Sequence, residues 1–599
     1  MKKESPSPRV NGNPARRTSE TASALGHLSL LLLCLALLAS SSFAQSDSLA
    51  SRLPADAWLF IHWHGTASLN GVRDSNSVLR LMHDPAVAAL PGKLIAYAQS
   101  QAKKDNNAAE HQFTQQDADD IVSLLENPAV FGLLNRPGSG MGATTNSASM
   151  FLVYDATGKQ DLLDEVRMRM VSASAAAPES IPLVIDRVPV TKVISGNNTS
   201  YEAHTGKYYV RTDSLPAMAE LLPRLTAANP PAVQTAAIPS ACRNMPGNAL
   251  LDFLALPGKL SVSQSLSNPN FNLSAFLKSL HVDQLQAVCG NLKFESSATR
   301  MQTVILGDTS AGSILNLLGD NRQNFATMAL APSGAAYQCS VLDFASLYSA
   351  LKTGFTAALP PDRAGLVAGI DSLLAMSWGI APSDALQLFT GEMAVIRMNP
   401  AVDPSQTVYA LSIQQPDKVL SLLRKIFDKA NPQEKQEGDT TYLTMSFPAG
   451  MVPGAPPSAE TAPEPNSFTL AVTPAMLIAA KGQRLAREAV SRSHAAAGSS
   501  PSFSGDAGFL KVRPSLPGKL DSLSYTDLAH FNWEKVASDY QKQINAQAQA
   551  AAKSSGKPAP PPVDLLSGFD WQAISRYLHF ALSGGWKDST GIYFDSFIQ

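Results

Sequence analysis

The chain has 599 residues, with 47 lysines and arginines against 49 aspartates and glutamates, and 45% of its side chains are hydrophobic. A formal charge of -2 excludes a general electrostatic pull toward nucleic acid, and the apolar content excludes global disorder. The length accommodates roughly two to four ordinary domains.

At the N-terminus, Lys2, Lys3, Arg9, Arg16 and Arg17 precede an apolar run from Leu28 to Ala39. A positive segment followed by a short hydrophobic core is the order of a secretory leader. About twelve residues at 1.5 Å each span roughly 18 Å, short of the roughly 30 Å hydrocarbon core. Export with removal of the leader is therefore predicted, with no permanent membrane span afterwards. Ser42 and Ala44 supply the small side chains that precede a cut, which places cleavage before Gln45. Cys34 follows three leucines and lacks the small neighbour expected beside a lipidated cysteine. Losing residues 1–44 removes five basic and two acidic residues, so the net charge falls from -2 to -5. The expected location is periplasmic or secreted.

The mature region opens with LPADAWLFIHWHG, Leu53 to Gly65, whose aromatic and branched residues favour a strand, and then turns helical in SNSVLRLMHDPAVAAL. LAPSGAAYQCSVLDF, Leu330 to Phe344, repeats that pattern and runs into the helical SLYSALKTGF. A second echo joins SMFLVYDAT and the helix-like GKQDLLDEVRMRM to TVYALSIQQ and PDKVLSLLRKIF. Each is followed by two extended stretches and then a helix candidate, SLPAMAELLPRL in one case and AMLIAAKGQRLAREAV in the other. Two occurrences of strand, helix, strand, strand, helix indicate an internal duplication.

Strands that return in local pairs predict an α+β fold rather than a doubly wound nucleotide-binding fold. The expected architecture is tandem related modules of mainly antiparallel sheet covered by helices. The predicted organisation is a leader at 1–44, a first module at 45–240, a second related module at 241–495, and a C-terminal helix and strand region at 496–599. Glycine- and proline-rich segments at 137–147 and 451–465 read as loops. WEKVASDYQKQINAQAQAAAK, Trp533 to Lys553, has helical patterning, and the aromatic-rich C-terminus is expected to dock as a strand.

Cys242, Cys289 and Cys339 remain after processing. Cys289 and Cys339 lie in strand-like segments, so one reading pairs them in a disulfide within an oxidising compartment. The other reading leaves all three as small buried hydrophobes.

The segments LPADAWLF, LAPSGAAYQCSVLDF, VYDATGKQDLLDEV and LSIQQPDKVLSLL resemble an uncharacterised bacterial family of exported, repeat-containing proteins, a DUF3352-like domain of unknown function. The resemblance spans about residues 50–495 and implies export and duplication. It brings no catalytic residue set with it.

His62 and His64 form the sharpest local constellation. Residues two apart on a strand share a face, so both imidazoles can approach one metal ion, or stand as a packed, hydrogen-bonded pair. A metal would need further ligands from elsewhere in the chain. His204 follows Glu202 at the same spacing, which suits either mutual polarisation or a structural hydrogen bond. DATGKQ, Asp155 to Gln160, lacks the upstream glycine and following Ser or Thr of a phosphate loop, and reads as a helix-capping turn. GxSxG is absent, and neither a catalytic set nor a cofactor motif emerges.

These features predict a non-catalytic envelope protein presenting a surface or groove to a protein, peptide or apolar ligand. A periplasmic or secreted hydrolase built on His62, His64 or His204 is the first alternative, and a lipid-handling protein the second. Expected partners are an envelope protein, a peptide or a lipid.

Overall fold

The structure, a computed structural model, describes residues 57–88, 114–135, 148–172, 179–195, 198–227, 249–259, 270–309, 314–317, 322–363, 365–446, 467–494, 502–554 and 569–599, with Pro54 and Gly92. The leader and its cleavage position, Cys242, and the loops at 137–147 and 451–465 lie outside the described residues.

Alternating apolar patterning gives the first half of the chain ten strands. These are β1 (Ala57–Trp63), β2 (Ala129–Asn135), β3 (Ala148–Asp155), β4 (Glu179–Ile185), β5 (Val188–Ser195), β6 (Asn198–Thr205), β7 (Tyr208–Thr212), β8 (Ala249–Ala255), β9 (Ala287–Phe294) and β10 (Thr299–Leu306). Ten more follow: β11 (Ala336–Val341), β12 (Phe389–Arg397), β13 (Thr407–Ile413), β14 (Gln433–Glu437), β15 (Thr440–Ser446), β16 (Ser467–Val472), β17 (Met476–Lys481), β18 (Ser522–Asp527), β19 (Phe580–Lys587) and β20 (Gly591–Ile598).

Every strand pairing is antiparallel, and all 20 strands join one continuous sheet. Followed from one edge, the hydrogen-bonded order is β4-β5-β6-β7-β3-β2-β1-β8-β9-β10. Across the β10–β20 seam it continues as β20-β19-β18-β11-β12-β13-β17-β16-β15-β14. The α+β class is therefore the observed one. The C-terminus is a paired strand, held by β19 on one side and β10 on the other.

Helices cover both faces. The Leu215–Thr226 helix starts where the Ser214 hydroxyl accepts from the Ala217 N–H, and it buries Ala217, Met218, Leu221, Leu222 and Leu225. Those side chains share a core with Val130, Phe151, Val153 and Val210. Burial of each leucine contributes about 2 kcal/mol. The Gln483–His494 helix does the same with Leu485, Ala486, Ala489 and Val490 against Ala410 and Ile478. On the opposite face the Pro416–Ile426 helix places Val419, Leu422 and Leu423 with Leu443 and Leu470. Trp533–Ser554 is helical, as its patterning predicts. No helix among the described residues is long and apolar enough to cross a membrane.

Two expectations need correction. AMLIAAKGQRLAREAV is not one helix: Met476–Lys481 is strand β17, and the helix begins at Gln483 after the turn at Gly482. β17 is bonded to β13 on one side and β16 on the other, with side chains buried on both faces, so its continuous apolar run imitates a buried helix. The Cys289–Cys339 bridge is not formed either. Cys339 is a free, buried thiol, whereas Cys289 is disulfide-bonded. The reason is topological: Cys289 on β9 neighbours β8 and β10, while Cys339 on β11 neighbours β12 and β18.

Candidate functional site

One cross-strand row runs the full width of the sheet and locates the site. From β4 inward it reads Leu183, Val190, Ala203, Val210, Val153 and Val130, all apolar. It then becomes polar at His62, Asp252, Asn291, Gln302 and Asp595 on β1, β8, β9, β10 and β20. Beyond the seam it continues with Gly584, Leu523, Cys339, Ala394, Ala410, Ile478, Ala471 and Tyr442, and it ends at Lys435 on the edge strand β14. Inside the edge strands, the charged and amide side chains of the row are thus confined to five central strands.

His62 is 3% exposed, and its Nε2 has no hydrogen-bonding partner. Burial drives its pKa down to about 4, with the neighbouring His64 adding to the fall and Asp252 opposing it. The ring is therefore neutral near pH 7 and keeps a lone pair. His64 follows the end of β1, where its N–H donates to the Leu250 carbonyl at 2.9 Å. Gly65, at φ +83°, then turns the chain aside; a Cβ there would lie 2.2 Å from the Glu126 carbonyl oxygen. Same-face geometry brings the His62 and His64 ring centroids to 3.9 Å. His64 Nε2 lies 2.6 Å from Asp252 Oδ2. One donor atom from each of His62, His64 and Asp252 falls within 4.8 Å of the others.

The next residue in the row, Asn291, is 1% exposed, and neither its Oδ1 nor its Nδ2 has a partner. Further along, Lys293 Nζ approaches Gln302 Oε1 at 3.5 Å, and burial lowers the lysine pKa. Asp595 is held by Arg300, whose Nε donates at 2.9 Å. Two imidazoles beside a carboxylate can relay a proton or share a cation.

The other candidates do not join this group. Glu202 is not the partner of His204: it accepts from Arg167 at 2.6 Å, with Arg211 at 3.6 Å. His204 instead stands 3.4 Å from Asp164 and packs on Tyr209. Asp155 accepts from the Thr157 N–H and hydroxyl in the turn before the Gln160–Ser172 helix, so it closes that turn rather than capping the helix N-terminus itself.

Sequence reasoning placed His62 and His64 on one face but missed Asp252 and Asn291. A signal for Asp252 was present: it is the lone charged residue of ALLDFLA, and a carboxylate in an apolar strand needs a partner.

No family model matches the chain, and no curated protein matches it. Among solved structures, one titled "Structure of crystal form III of TP0453" aligns with 46% of this chain and 86% of that one, at 10% identity and a TM-score of 0.23. A score of that size defines neither a common fold nor a common activity.

Proposed function

We propose that this is a non-catalytic envelope protein, exported by its leader, whose two related α+β modules present an apolar helical face to a protein, peptide or apolar ligand. The observation that carries the reading is the Gly365–Trp378 helix, on which no described residue is buried. Leu366, Ile370, Leu373 and Met376 are 60%, 56%, 63% and 75% exposed. The first three follow helical i, i+4, i+7 spacing and form one stripe. Leu351 and Phe355 on the preceding helix, Phe344–Ala358, are exposed as well. The two helices are tied together by Asp371, which accepts from Tyr348 and Lys352, and the apolar side chains remain on the surface. An apolar surface of this kind is costly in water unless something covers it.

Duplication is supported by the equal order of β1 to β10 and β11 to β20 about their common seam. We place the two modules at 57–306 and 336–598, so that the C-terminal strands complete the second. The likeness to the exported repeat family belongs to the same proposal. The disulfide at Cys289 supports an oxidising compartment, periplasmic or secreted.

The test compares the mature chain with a Leu366→Lys, Ile370→Lys, Leu373→Lys variant, using the fluorescence of an apolar naphthalene dye. At least half of the dye enhancement should vanish while the urea midpoint changes little. Equal enhancement in both proteins would overturn the apolar-face reading. Native mass measurement before and after solvent extraction then separates a small apolar ligand from a protein partner.

A further inference from the structure

We propose that His62, His64 and Asp252 bind one divalent transition-metal ion of the zinc class. This inference is independent of the apolar helical face. Two imidazole nitrogens and one carboxylate oxygen are a zinc-type donor set, whereas calcium and magnesium sites are built from oxygen. The three donors already lie within 4.8 Å of one another, on paired strands rather than on mobile loops.

A second observation points to the same place independently. His62 Nε2 is buried without a partner, and a buried nitrogen in that state is destabilising unless a ligand satisfies it. Asn291, next to Asp252 across the strand pair, is buried with both amide atoms unsatisfied. A metal ion answers the first deficit directly. Its bound water, in the position left open by three protein ligands, gives Asn291 a hydrogen-bonding partner.

The geometry also states what must move. Metal–ligand bonds of roughly 2.0–2.2 Å separate tetrahedral ligands by roughly 3.3–3.6 Å. The 2.6 Å contact between His64 and Asp252 is shorter than that, so the ion takes the place of this direct contact and spreads the two groups. Their side chains are 25% and 37% exposed, so the movement falls on the solvent side while His62 stays fixed. Lys293 on the same face carries like charge and weakens the site, whereas Asp595 beyond it is occupied by Arg300.

The experiment uses the mature chain with any affinity tag removed, stripped with chelator and titrated with Zn²⁺ against a chromophoric competitor. One equivalent of zinc should bind, and Co²⁺ in its place should give visible absorption bands of four-coordinate type. His62→Gln and Asp252→Asn preserve shape and should each weaken binding at least 100-fold; Asn291→Ala should weaken it about 10-fold. His204→Ala should leave affinity unchanged. Absence of stoichiometric binding, or equal affinity in wild type, His62→Gln and Asp252→Asn, would overturn the proposal. Thermal unfolding of each metal-free variant identifies any that fails to fold; Asp252→Asn, at a partly exposed position, then decides the outcome.

Discussion

Gln302 and Asp595 stand opposite each other in the middle of the β10–β20 seam, and Gln302 Nε2 donates to Asp595 Oδ2 at 3.4 Å. Two residues to one side Arg300 faces Phe597, and two to the other Val304 faces Tyr593. The polar stretch of the cross-strand row ends at this pair, and Gly584 and Leu523 follow beside it.

Asp595 is 3% exposed and accepts twice from Arg300 Nε, at 2.9 and 3.2 Å, as well as from its Nη2. Removing the carboxylate alone strands the guanidinium against the Phe597 ring, over which it already lies. Asp595→Ala should therefore lower stability by about 3 kcal/mol, read as a shift in the urea midpoint. Arg300→Met with Asp595→Leu should recover most of it, because no charge is then left unpaired. An unchanged midpoint in Asp595→Ala would show that the seam does not depend on this ion pair.

Gly132 on β2 faces Phe151 on β3, and the ring occupies the space a side chain would take. A Cβ at 132 would lie 2.3 Å from Phe151 Cζ and 2.9 Å from the Leu59 carbonyl oxygen. Gly132→Ala should cost about 1–3 kcal/mol through overpacking. Adding Phe151→Leu should relieve part of that loss, with a coupling near 1 kcal/mol in a double-mutant cycle. Strict additivity of the two changes would refute the steric account.

Cys339 is 1% exposed, and burial pushes its thiol pKa up to about 12, with the Tyr337 hydroxyl opposing the rise. Because the thiolate is the reactive species, the native protein should resist iodoacetamide at Cys339 across pH 7–9. In denaturing urea at the same pH the residue should alkylate at an ordinary rate. Mass spectrometry of the Cys339 peptide reads both results; rapid native labelling would mean that the strand opens far more often than its packing implies.

Local order was legible in the chain. The period-two strands around SMFLVYDAT and TVYALSIQQ and the helices that follow them rest on neighbouring residues, whose physics acts within a few positions. Parity alone put His62 and His64 on one face. The same local reasoning failed at β17, where burial on both faces erased the alternation that marks a strand.

What only the tertiary structure decided is which strands meet. Strand pairing is a long-range choice: β1 takes a neighbour from residues 249–255, and β10 takes one from 591–598. No sequence period connects His62 to Asp252 or Cys289 to a bonding partner, so the third donor of the site and the failure of the Cys289–Cys339 bridge appear only once the sheet is assembled. The sequence by itself determined the pieces and the face each one hides, because backbone period and side-chain polarity are local. The order of the pieces, and with it the polar centre of the cross-strand row, was set by packing between residues far apart in the chain.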